Sequence, residues 1–167
     1  MQVFVCSRHD ILERIRGEFP RNTAVISFFS PQKKGKAAER VDFSHSCDRV
    51  FYMGIPDIDK ELLEDYGYTY DTYLSEADDL ARFICDARTD GYDIICQCDF
   101  GQSRSAACAA AILQYFEGRG IDIFADYRYY PNQLVYHKIF DALKKLGREE
   151  DTVFVRNCCN SENCVVE

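Results

Sequence analysis

The chain has 167 residues, 47% of them apolar and 14% aromatic, with a formal net charge of −8. That length suits one globular domain with a sizeable core, and no apolar run is long enough to cross a bilayer. The acidic balance argues against a general nucleic-acid binder and would repel very acidic ligands, so any affinity for an anion has to be built locally.

In chain order, Gln2 to Cys6 reads as a strand and His9 to Arg16 as a short helix. Thr23 to Phe29 is a second strand, rich in Val, Ile and Phe. Ser30 to Asp48 is a long polar loop whose Lys33, Lys34 and Lys36 read as a solvated charge run. Arg49 to Gly54 is a third strand, and Pro56 to Thr72 is irregular or weakly helical. Tyr73 to Arg88 is a helix, because Leu74, Ala77, Leu80, Ala81, Ile84 and Cys85 recur at helical spacing; Gly91 ends it. Asp93 to Gln97 is a buried strand. Arg104 to Glu117 is apolar nearly all round, the mark of a buried helix. Asn132 to Leu146 is the last long helix, with Pro131 at its start.

Strands alternating with helices predict an α/β fold: three layers, α/β/α, around a mainly parallel four-stranded sheet. Residues 1–155 are expected to form the domain and 156–167 a polar, cysteine-containing tail. In such sheets the ligand site lies outside the carboxyl ends of the strands. Four segments fall on that rim: Ser7 to Asp10, Phe29 to Asp48, Ile55 to Lys60 and Cys98 to Arg104.

The nine cysteines are odd in number and scattered. Met1 to Arg8 has no basic start of a secretory signal. The expectation is a cytoplasmic protein with free thiols. Cys96 with Cys98, and Cys158, Cys159 and Cys164, fit no common zinc spacing, so no metal is expected.

The chemistry concentrates in Cys98-Asp99-Phe100-Gly101-Gln102-Ser103-Arg104-Ser105. An apolar strand precedes it and an alanine-rich helix follows. A loop between such elements turns its N–H groups toward one point, and the helix dipole adds positive potential there. Arg104 can hold two oxygens of a phosphate in a planar fork. Cys98 sits in the same field, which favours its thiolate.

These residues resemble the signature loop of the cysteine-based protein tyrosine phosphatases, and the flanking text resembles their small dual-specificity branch, especially compact bacterial members. The similarity extends from Ile55 through Tyr129-Tyr130-Pro131-Asn132 and includes Val3 to Arg8. Gln97 stands where the family has histidine. The resemblance implies hydrolysis of phosphotyrosine or related phosphomonoesters through a phosphocysteine, without a cofactor, on a phosphorylated protein or small phosphomonoester. It assigns Cys98 as nucleophile and Arg104 as the phosphate grip. Asp99, Phe100, Gly101, Gln102 and Ser103 join Arg104 in cradling the phosphate. Ser105 would bond the cysteine sulfur.

It also implies an aspartate acid on a loop before the cysteine. Asp57, Asp59, Asp65 and Asp71 are candidates. Rim position favours Asp57, then Asp59, while sequence distance admits Asp65. Asn132 suits either a role beside the loop or a helix N-cap. Gln97 can donate and accept hydrogen bonds without carrying charge. A phosphate-binding module without catalysis is the alternative, should Gln97 or a missing acid silence the site. Neither nucleic acid nor membrane is expected as a partner.

Overall fold

The computed structural model describes residues 1–31 and 40–160, with 150–160 as backbone alone. Lys33, Lys34, Lys36 and Cys164 lie outside the described residues, as do the side chains of Cys158 and Cys159.

The strands β1 (Val3–Cys6), β2 (Thr23–Phe29), β3 (Val50–Gly54) and β4 (Asp93–Gln97) form one four-stranded sheet in the order β1-β4-β2-β3. Every pairing is parallel, with Ile95 of β4 in register with Phe4 on one side and Val25 on the other. Side chains alternate between faces as a pleated strand requires. Ala24, Ile26 and Phe28 of β2 join Ile94 and Cys96 of β4 in the larger core. Val25 and Ile95 point the other way, into a smaller core with Cys6, Ile11, Val41 and Phe43.

The helices are α1 (Arg8–Arg16), α2 (Ala77–Thr89), α3 (Arg104–Glu117), α4 (Ile121–Phe124) and α5 (Gln133–Asn160). α1 supplies Ile11 to the smaller core, whereas α2, α3 and α5 cover the opposite face. α1 begins with a reciprocal cap: the Ser7 hydroxyl accepts from Asp10 N–H, and the Asp10 carboxylate accepts from Ser7 N–H. α3 is the packed centre of its layer. Ala106 to Ile112 are all fully buried, and their small side chains let the helix lie close to the sheet.

Two helix boundaries differ from expectation by more than a residue or two. The second long helix starts at Ala77, not Tyr73, because Leu74 takes φ of 57° and turns the chain out of helical conformation. The stretch after β3, expected to be irregular or weakly helical, carries short 3-10 turns at Lys60–Leu62 and Glu64–Tyr66. The last helix runs on to Asn160, beyond the expected end at Leu146. The short α4 carries too few residues for a periodic signal. No helix among the described residues is long and apolar enough to cross a membrane.

Candidate active site

Described residues from all four expected rim segments, Arg8, Ser30, Ile55 with Asp57, and the loop from Cys98 to Arg104, meet at the carboxyl edge of the sheet. The loop from Cys98 to Ser103 leaves β4, the inner strand between β1 and β2, and enters α3. It packs against the turn that follows β1. Cys98 N–H donates to Cys6 O at 3.3 Å, and Arg8 N–H donates to Asp99 O at 3.2 Å. Gly101 makes this approach possible. It has φ of 70°, and a Cβ there would stand 2.7 Å from Ser7 N. A side chain at this position would have to push backbone aside as well as adopt a left-handed conformation. Among the described residues, none of the backbone N–H groups from Asp99 to Ser103 donates to a backbone carbonyl. A ring of such donors above a helix N-terminus is an anion cradle.

Gln97 fastens the loop to the sheet. Its Oε1 accepts from Ser27 Oγ at 2.6 Å, and its Nε2 donates to Cys98 O at 2.8 Å. Both ends of the amide are therefore used, and the side chain is 1% exposed. A neutral amide thus does the ordering for which the sequence resemblance offers a histidine.

Cys98 Sγ lies 3.0 Å from Ser105 Oγ in the first turn of α3. Arg104 is 2% exposed, and both of its Nη atoms donate to the protein. Nη1 donates to Ile55 O at 2.8 Å and to Ser30 Oγ at 3.4 Å, and Nη2 donates to Asp99 Oδ2 at 2.6 Å. Nε is buried and has no hydrogen-bond partner. Its neighbour is Asp57 Oδ2, at 3.7 Å. A buried donor without an acceptor is costly, by about 1–3 kcal/mol, and in a native fold it calls for an explanation.

Asp57 is held from its other oxygen. Oδ1 accepts from Ser103 Oγ at 2.7 Å and from Asn132 Nδ2 at 3.0 Å. Asn132 Nδ2 also donates to Ile58 O at 2.9 Å, while Asn132 Oδ1 accepts from Val135 N–H at 3.0 Å. The two readings of Asn132, helix cap and neighbour of the loop, hold together in one side chain. Buried Tyr73 braces the same segment by donating to Pro56 O at 2.9 Å. Burial pushes its phenol well above the usual range, which keeps the proton it donates.

Asp99 is tied on both oxygens, to Arg104 through Oδ2 and to Arg8 Nη2 through Oδ1 at 2.7 Å. Burial raises its pKa, but the bonds from Arg8 and Arg104 outweigh that and hold the carboxyl below its ordinary value. Beside Asp57, Asp99 and Arg104 opens a cleft of about 430 Å³, with Tyr66, Tyr68 and Phe100 on its walls. Phe100 is 79% exposed.

No protein-family profile and no curated protein matches the chain. Among solved structures, human DUSP28 is similar with a TM-score of 0.51 at 14% identity, over 88% of this chain and 94% of its own. PTPMT1, solved in complex with PI(5)P, has a TM-score of 0.50 at 11% identity, over 89% of this chain and 94% of its own. The chain has the fold of the cysteine-based tyrosine and dual-specificity phosphatases. Identities this low establish that phosphatase-like fold and no particular branch of it.

Within this phosphatase-like fold the four expected catalytic residues are neighbours. Cys98 touches Ser105, and Arg104 lies beside Asp57. The other carboxylates fall elsewhere. Asp59 is exposed and lines a separate hollow of about 540 Å³ on the far side of Asp57, with Tyr130 and Phe124. Asp65 and Asp71 are exposed, and neither lines the cleft. Of the loop residues, Gly101 is the tight contact, Ser103 holds Asp57, and Phe100 forms a wall. Sequence reasoning passed over Arg8 and Ser30 as site residues. The available signal was their position, since each directly follows the rim end of a strand.

Proposed function

We propose that this protein hydrolyses phosphomonoesters, phosphotyrosine among them, through a phosphocysteine intermediate. The observation that carries the reading is the Nε of buried Arg104, which has no hydrogen-bond partner and only a 3.7 Å contact with Asp57, at the helix end of a loop of free backbone N–H groups that begins at Cys98. A phosphoryl group bound there supplies the missing acceptor.

Two substrate oxygens accept from the Nε and Nη2 edge of Arg104, and the loop N–H groups take the rest of the charge. The Cys98 thiolate attacks phosphorus as the P–O bond to the leaving group breaks. Asp57 gives its proton to the departing oxygen. Water then attacks phosphorus, its proton passes to Asp57, and the S–P bond breaks. Ser105 donates a hydrogen bond to the thiolate that leaves. The aromatic walls at Tyr66, Tyr68 and Phe100 suit an aryl phosphate that must reach down to a buried sulfur. No cofactor is required by these steps.

Release of p-nitrophenol from p-nitrophenyl phosphate tests the reading. The parent chain is expected to turn over, and Cys98→Ser to lose turnover while still binding orthovanadate. Comparable turnover by the serine variant would overturn the covalent route. Phosphate binding without turnover by the parent would leave a binding module.

A further inference from the structure

We infer that Arg8 and Asp99 are positioning residues for the phosphate grip: Arg8 fixes Asp99, and Asp99 fixes the rotation of Arg104 so that its Nε edge faces the substrate. This rests on the cradle reading above. It adds a role for the turn after β1, far away in sequence.

The Arg104 guanidinium carries five N–H donors, and three of them have partners within the protein. Ile55 O and Ser30 Oγ take Nη1, at 2.8 and 3.4 Å. Asp99 Oδ2 takes one proton of Nη2 at 2.6 Å. Ser30 Oγ also donates to Asp99 Oδ2, at 3.3 Å, so serine and carboxylate lie together along the far end of the guanidinium. What remains is Nε–H with the second proton of Nη2. Those two point the same way and match two oxygens of a phosphoryl group. The carboxylate therefore occupies the end of the guanidinium and leaves its side free.

Asp99 would not stay there unaided. A carboxylate next to a strong anion site is a competitor for the same donors. Arg8 removes that freedom by binding Oδ1 at 2.7 Å, and the Arg8 N–H to Asp99 O bond fixes the backbone beneath it. The Ser7 cap of α1 in turn holds the start of the helix from which Arg8 projects.

Simple electrostatics and positioning predict opposite signs. If Asp99 acts only as a negative charge near an anion site, Asp99→Asn strengthens phosphate binding. If it positions Arg104, Asp99→Asn weakens binding, because an amide offers a single acceptor oxygen and cannot serve both arginines. The experiment is calorimetric titration of inorganic phosphate into the full chain, for the parent, Arg8→Ala, Asp99→Asn and the double variant, with circular dichroism to confirm folding.

Each single variant is expected to weaken binding by roughly tenfold, the order for a lost charge-assisted hydrogen bond, and the double variant to be no weaker than either. KM for p-nitrophenyl phosphate is expected to rise in the same proportion. Unchanged or tighter binding by Asp99→Asn, or additive losses in the double variant, would overturn the inference. If Asp99→Asn does not fold, unchanged phosphate affinity in Arg8→Ala does so alone. A parent that binds phosphate without turnover sinks the hydrolase reading and leaves this inference measurable. A parent that binds no phosphate sinks both.

Discussion

Two aspartates flank the same arginine and are held in opposite ways. Asp99 is bonded by two guanidinium groups, and they pull its carboxyl below the ordinary range. Asp57 is bonded by neutral donors, the Ser103 hydroxyl and the Asn132 amide, and stays 3.7 Å from Arg104 Nε. A carboxylate locked between two cations is poorly suited to carry a proton. The one held by a hydroxyl and an amide stands beside the open edge of the grip, where the proposed mechanism needs a proton donor. The residue type is identical, and under the proposed mechanism the neighbours separate structural counter-ion from acid.

The sharpest way to break this comparison is to remove the arginine that both carboxylates face. Arg104→Lys keeps the charge and loses the fork, and p-nitrophenyl phosphate turnover is expected to fall by roughly a hundred- to a thousandfold. Turnover near the parent value would mean that charge alone suffices.

Asp57→Asn should separate the two carboxylates by function. Hydrolysis of a phosphotyrosine peptide is expected to slow by about a hundredfold, with less loss for an activated aryl phosphate, while phosphate affinity holds. Stopped-flow bursts on both substrates would check this. The same pattern from Asp59→Asn and not from Asp57→Asn would move the acid to the neighbouring hollow.

A smaller effect is expected from Asn132→Ala, which removes a helix cap and a support of Asp57 together. Thermal unfolding should register a loss of about 1 kcal/mol, and turnover should fall less than in Asp57→Asn.

The smallest effect concerns acid. The folded-state pKa of Asp99 lies below its ordinary 3.8, so its ion pairs contribute stability in full above that value. That contribution fades as pH falls through the depressed pKa. Denaturant titrations at descending pH should show a shallower acid loss for Asp99→Asn than for the parent. Parallel slopes would show that Asp99 titrates alike in folded and unfolded chains.

What could be read directly from the residues was whatever depends on neighbours in the chain. The β4 pattern, Gly101, Arg104 and the alanine run announce strand, tight loop and buried helix, because period, left-handed backbone and small side chains are local properties. The rim rule then put Asp57 on the same edge of the sheet as Arg104, because each lies in a loop that follows the carboxyl end of a strand. Other features required the folded chain. Leu74 broke the helical pattern at its start through a φ that side-chain spacing does not reveal. Gln97 reads as a departure until Ser27, on the adjacent strand, is seen to donate to its amide oxygen. Arg8 reads as the opening of a surface helix, yet it meets Asp99 across 91 positions of sequence. Local sequence decides which groups are available, and only the parallel pairing of β1 with β4 decides which of them come within hydrogen-bond reach.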